Sequence, residues 1–542
     1  MKLGVKGLGL LFSVLVALAG CSGGSGSESS RQTEITATAD GELASLDSIA
    51  SSDIPTQNVL ANVTEGLYRP SIDGGNELGI AAEEPEVSED GLTYTFKIRD
   101  NANWSTGEPV TAQDFVFSYR KAVDPNAISE NVNKFFVIKN ARPISDGELP
   151  TDQLGVKAID DKTLEFTLEA PTPYFKGLLG TPAYLPQSEK LAKEVGDNYG
   201  SSQDKTAFNG PFVVDGWTGN EQSFQLKKND QYWDKDNVHL DTINWQVSKE
   251  MSTNFNLFEN GKVQYTKVGN PYVEQEQNNE ALTVDPSGLV GYLQFNFTRE
   301  PTNNVHLRKA LASSFDKEAF VQNVLKDGST PIDGWIPKEH DQDPETGEDF
   351  RAQNGSLSSY DVNKAKEEFE KAKADLGRDK ISIELLTSDT DVSKSTSEFL
   401  QGEWQKNLPG IEVTIRNVPL KSRQSIAASK DYDIMLGTFI PSYVDPIAYL
   451  EYFESHSTLN TGFYNSEVFD GQLNQARTTL ANQPKERWDT LLAAERTLVQ
   501  DDQALAPIYQ GAFANMIDPK LKGVINQTNG AQSYFRAATY GE

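Results

Sequence analysis

Residues 104–125 read WSTGEPVTAQDFVFSYRKAVDP, a turn that feeds a helix with both ends marked. Gly107 and Pro109 punctuate the turn. Thr111 has the character of an N-cap, and Asp114 three residues on completes a capping-box pattern. Phe115, Val116, Tyr119 and Val123 then fall on one helical face, and Pro125 ends the run. Just upstream, Asp90-Gly91 signals a turn before 93–98 (Thr-Tyr-Thr-Phe-Lys-Ile), whose β-branched and aromatic content predicts a strand. Strands and turns of this kind dominate the first half of the chain.

The second half alternates strand and helix. Asp361 predicts a cap for a helix whose apolar residues Val362, Ala365, Phe369, Ala372 and Leu376 step by three and four, and Gly377 supplies its C-terminal stop. A strand at 381–386 follows, then a helical stretch to Leu408, a strand at 411–418, a short helix and a strand at 432–436. Such alternation predicts a parallel sheet covered by helices, in a lobe running from near Gly291 to near Pro507.

A chain of 542 residues predicts two or three domains, and 37% hydrophobic with 10% aromatic residues is enough for large cores. With 49 Lys and Arg against 79 Asp and Glu, the net charge is −30. That charge argues against nucleic acid and anionic lipid surfaces as partners. The N-terminus carries Lys2 and Lys6, then an apolar run at 8–19 of the length of a signal sequence. It ends at Leu18-Ala19-Gly20-Cys21, which resembles a bacterial lipobox and precedes a Gly/Ser stretch. The expectation is a signal peptide at 1–20 and a lipidated tether at 21–30. Cys21 is the only cysteine in the chain, so the mature body has no disulfide and no thiol nucleophile.

The sequence also lacks the motifs of the common catalytic classes: there is no G-x-S-x-G, no GK[ST] loop, no H-E-x-x-H and no G-x-G-x-x-G. His239, His306, His340 and His456 are scattered, without metal-ligand spacing. The acidic loop 341–347 has a faint calcium-loop look, but its glycine is one position late and Pro344 is awkward there. The reading is therefore non-enzymatic, with no catalytic residue, no metal and no cofactor; a secreted hydrolase is the rival class.

Several segments, in order, resemble the solute-binding proteins of peptide-type ABC importers, the oligopeptide-binding lipoprotein family. They are Leu46-Asp47, 62–68 (Asn-Val-Thr-Glu-Gly-Leu-Tyr), 90–94, 104–115, 209–212 (Asn-Gly-Pro-Phe), 229–233 and 305–311. Most are framework, with Trp104, Phe115 and Arg308 expected in core and capping roles. The resemblance implies an α/β fold with two lobes, of the periplasmic-binding-protein type II kind in its three-domain oligopeptide-binding form, with mixed β-sheets covered by helices. It implies a discontinuous domain I (31–64, 187–290 and 509–542), an inserted domain II (65–186) and a domain III (291–508). The implied function is capture of oligopeptides between two lobes and delivery to ABC permease subunits, by a monomer held outside the cell membrane through lipid on Cys21. A receptor for a hydrophobic signalling peptide is the alternative on the same fold.

Position by position, the resemblance implies that a peptide main chain is held by two strand edges. The domain I edge falls at Ser52, Asp53 and Ile54; the domain III edge falls at Thr438, Phe439, Ile440, Pro441, Ser442 and Tyr443. Trp404 matches an aromatic that borders a side-chain pocket. Ser442 departs from the pattern, because the best-known members have an aspartate there that anchors the peptide ammonium. Asp53 and Asp445 are the substitute anchors the sequence offers.

Overall fold

The computed structural model describes residues 32–541, apart from 52, 73–74, 128, 130, 442 and 528–530. The expectations for Cys21, the signal and tether, Ser52 and Ser442 therefore lie outside the described residues.

Two long strands organise the rest. Leu282–Phe295 and Leu505–Ile517 run antiparallel, in register from Leu282 opposite Met516 to Gln294 opposite Leu505. The ladder is interrupted between Pro286 and Val290. On one side of that break, Tyr265–Val268 joins the pair along residues 514–517, followed by Glu34–Ala39, Thr242–Val247, Ser223–Lys228 and Phe212–Asp215. On the other side, Ile434–Phe439 pairs with residues 290–295, followed by Ile381–Ser388 and Ile411–Val418. Both lobes thus hang from one mixed sheet, and two strands cross between them.

The break is pinned. Gln510 Nε2 donates to Ser287 O at 3.1 Å, and the Tyr449 hydroxyl donates to Gly288 O. Alternation along the strand then sorts side chains to opposite faces. Val290 and Tyr292 enter a core with Trp335, Tyr449 and Trp488, whereas Leu293 and Phe295 enter the core of Leu311, Phe320, Leu385 and Trp404.

The strands 381–388, 411–418 and 434–439 are parallel, as the strand and helix alternation predicts. The sheet turns antiparallel at the next strand, because Leu282–Phe295 arrives from the other lobe rather than through a helical crossover. The last parallel strand also starts at Ile434 and runs to Phe439, later and longer than the expected 432–436. Tyr432 is instead buried beside its start and donates to Thr461 O at 2.8 Å.

The helix expected after residue 111 spans Ala112–Val123. Asp114 accepts from the Thr111 N–H (2.8 Å), the Thr111 hydroxyl (3.0 Å), the Trp104 indole (3.2 Å) and the Glu189 N–H (2.9 Å). Gly107 takes the left-handed φ of 86° that its turn requires. This helix covers a separate antiparallel four-stranded sheet, Glu86–Val87, Thr93–Lys97, Thr163–Thr167 and Val156–Asp160. The 62–68 and 229–233 segments tie this inserted part to the first lobe: Glu65 accepts from Tyr232, Trp233 and Arg69. Arg308 is buried and donates to the carbonyls of Thr302, Asn303, Asp502 and Gln503.

Gly291 lies where the crossing strands are closest: a Cβ there would stand 2.0 Å from the Tyr509 ring. Gly291→Ala must push that ring out of its core. We expect a loss of about 1–3 kcal/mol in denaturant unfolding; an unchanged midpoint would mean that the ring yields freely.

Candidate functional site

The inserted part and the second lobe face each other across a cleft. Its first wall is the short 3₁₀ turn Val132–Phe135, which aromatic packing holds in place: Phe135 stacks on Tyr184 with centroids 4.6 Å apart. Asn131, just ahead of this turn, donates through Nδ2 to Ser51 O at 3.3 Å, next to the expected domain I edge. The second wall is the end of the strand Ile434–Phe439 with the residues that follow. A cavity of about 140 Å³ lies between them, lined by Lys134, Val137, Tyr174 and Leu178 on one side and Phe439, Ile440, Pro441 and Glu451 on the other. A larger one of about 730 Å³ shares Val137, Tyr174, Glu451 and Leu459 with it.

Thr438 and Phe439 pair with Gly291 and Val290 on one side only. On the other side, pairing with Ile381–Ser388 reaches Leu386 opposite Met435 and goes no further among the described residues. Arg423 takes Leu436 O at 2.7 Å. The strand end from Gly437 onward is thus free of its inner-sheet neighbour, and it borders the cavity. The Phe439 ring turns into the lobe, stacked on Trp335 at 5.6 Å. Tyr443 spans the cleft: its ring stacks on Tyr174 at 4.7 Å and 15°, and its hydroxyl donates to Glu451 at 3.0 Å.

Four expected residues have other surroundings. Trp404 is fully buried and donates to Leu311 O at 3.0 Å, so it fills the core behind the sheet rather than bordering either cavity. Ile54 begins the helix Ile54–Val63, and Asp53 caps it by accepting the Thr56 N–H at 2.9 Å. Pro55 suits that first turn, so the domain I side offers a helix start where a strand edge was expected. Asp445 is clasped by Arg487 through two bonds of 2.9 and 2.8 Å, both residues being buried. Both of its oxygens are thus engaged by the guanidinium. Pro441, Ile440 and Tyr443 all line the 140 Å³ cavity.

Sequence reasoning missed the contribution of the inserted part, namely Lys134, Tyr174 and Leu178, and it missed Glu451. The Glu451 carboxyl is raised by burial, against the lowering pull of Arg477 and the Tyr443 hydroxyl. Its position eight residues after Tyr443, in the turn Glu451–Phe453, was the only signal available for it.

The model of the bacterial extracellular solute-binding proteins, family 5 (Middle) matches residues 78–461. The chain belongs to this family. Among family 5 relatives, it is 33% identical over 512 residues to the dipeptide-binding protein of Lactococcus lactis, covering 92% of this chain and 93% of that one. The structure of Listeria monocytogenes OppA bound to peptide superposes with a TM-score of 0.78 at 35% identity, covering 94% of this chain and 99% of the other. The pheromone receptor PrgZ gives the same TM-score and identity, with 94% and 100% covered. The fold is the two-lobed solute-binding one, and the family 5 chain is a binding protein, not an enzyme. Among the described residues no helix is long and apolar enough to cross a membrane.

Removing one partner of the Asp445–Arg487 pair strands the other charge in the lobe. Arg487→Met should cost about 3–5 kcal/mol in denaturant unfolding, and adding Asp445→Asn should recover most of it. Equal losses in the single and double variants would contradict this.

Proposed function

We propose that this protein captures oligopeptides in the cleft between its lobes and delivers them to the permease of an ABC importer. The observation that carries the reading is the strand end from Gly437 to Phe439, paired along one edge only and beside a cavity. A peptide of any sequence has a regular row of N–H and C=O groups, and a free strand edge pairs with that row by β-augmentation. The cavities then receive side chains, and closure over the ligand presents a form that a membrane partner recognises. Relatives named for dipeptide binding and for peptide-bound OppA support it. The apolar lining by Val137, Leu178, Phe439, Ile440 and Pro441 favours a second reading, in which the ligand is a hydrophobic signalling peptide, as the likeness to the pheromone receptor PrgZ suggests.

The anchors expected from the sequence are not free carboxylates: position 442 is serine, Asp445 is held by Arg487, and Asp53 caps a helix. Main-chain pairing therefore sets affinity. Titration with short peptides should raise the thermal midpoint by mass action and contract the particle in solution scattering. N-acetylated peptides should bind within about tenfold of their free-amine parents, about 1.4 kcal/mol or less. The reading fails if no peptide protects the protein. A hundredfold penalty for acetylation would reveal a hidden amine anchor.

The same proposal has the mature chain working as a monomer outside the cell, tethered by a diacylglycerol on Cys21 after signal cleavage. The carriers are the Leu18–Cys21 pattern and the Gly/Ser stretch behind it. Cys21→Ser should leave peptide binding intact and either release the protein from the membrane fraction or leave an uncleaved precursor. A processed, unlipidated protein that still sediments with membranes would contradict the anchor.

A further inference from the structure

Lys134 stands at the middle of the cleft wall, on a rigid mount. Its own carbonyl accepts the Tyr184 hydroxyl at 2.7 Å, while Phe135 next to it stacks on the same tyrosine. The side chain lines the 140 Å³ cavity, opposite Phe439, Ile440 and Pro441. Lys134 keeps some accessible surface, yet burial lowers its ammonium to about 8.

No carboxylate is near enough to raise that ammonium again, and among the described residues it makes no ion pair and no hydrogen bond. The other ionic groups around this cavity are matched. Glu451 is held by the Tyr443 hydroxyl and by Arg477 at 3.1 Å, and behind it Asp445 is held by Arg487. Among the described residues, the lining of this cavity therefore presents one uncompensated charge, and it is positive. A desolvated cation without a partner is unfavourable, and a ligand that brings the opposite charge relieves it.

We propose that Lys134 is a specificity-determining residue, whose ammonium receives a carboxylate of the bound peptide inside the 140 Å³ cavity beside Phe439 and Pro441. This deepens the peptide-binding reading and rests on it. The carboxylate comes from an acidic side chain or from the peptide's own C-terminus; both bring the same chemistry. The same charge disfavours a peptide ammonium at this point.

The test is calorimetric titration with matched pentapeptides in two arms. One arm exchanges Gln for Glu at each position in turn; the other compares the free C-terminus with its amide. The wild-type protein should prefer the acid over its amide by about tenfold or more in one arm, which also identifies the source. Lys134→Met should bring that ratio close to one, and Lys134→Arg should keep it. Persistence of the preference in Lys134→Met overturns the proposal, and so do wild-type peptides that bind with no preference in either arm. If no peptide binds, the peptide reading itself falls and takes this one with it. The thermal midpoint of ligand-free Lys134→Met should be unchanged or higher, because an unpaired buried charge stabilises nothing. A lower midpoint would mean that the ammonium already has a partner within the fold, and counts against the proposal.

Discussion

The antiparallel pairing of Leu282–Phe295 with Leu505–Ile517 is the constraint on which the other features depend. It is one ladder shared by two lobes, so each lobe's sheet must grow outward from its own end of the same pair. The interruption between Pro286 and Val290 marks where one lobe's neighbours stop and the other's begin. Gln510 and Tyr449 hold the carbonyls of Ser287 and Gly288, so the chain passes between lobes through a segment whose backbone groups are satisfied.

The cleft follows from that arrangement. Ile434–Phe439 must lie against residues 290–295, which brings its far end to the boundary between lobes. Its other neighbour, Ile381–Ser388, pairs with only its first two residues. The strand is thus paired on both edges at its start and on one edge at its end, and exposed edges invite pairing. Here Phe439 and the two residues after it line a cavity whose other wall carries Lys134, Tyr174 and Leu178.

Charge around the cleft is handled by pairing at close range. Asp445 with Arg487, and Glu451 and Glu454 with Arg477, remove most of the ionic character from a region dense in carboxylates. In a chain of net charge −30 this matters, because an unpaired acidic cleft would attract any cation. In the smaller cavity Lys134 has no ion pair among the described residues.

The local elements were legible in the sequence because contacts within a few residues decide them. The capping box at Thr111 and Asp114, the stop at Gly377 and the strands 93–97 and 411–418 all depend on neighbours close in the chain. The order of short motifs carried the family and the two-lobed architecture. What only the tertiary structure decided involves partners far apart. Periodicity shows that Trp404 has a buried face, but not that the Leu311 carbonyl fills its hydrogen bond and keeps it in the core. Nothing near residue 434 says that its strand meets one from the other lobe in the opposite sense. Asp53 looks like a cleft residue until the helix it caps is seen, and Asp445 looks free until Arg487 is placed beside it. Lys134 reaches the cavity from a domain about 300 residues away in sequence from Phe439. A cavity belongs to no single segment, so its residues acquire their roles only when long-range packing brings the walls together.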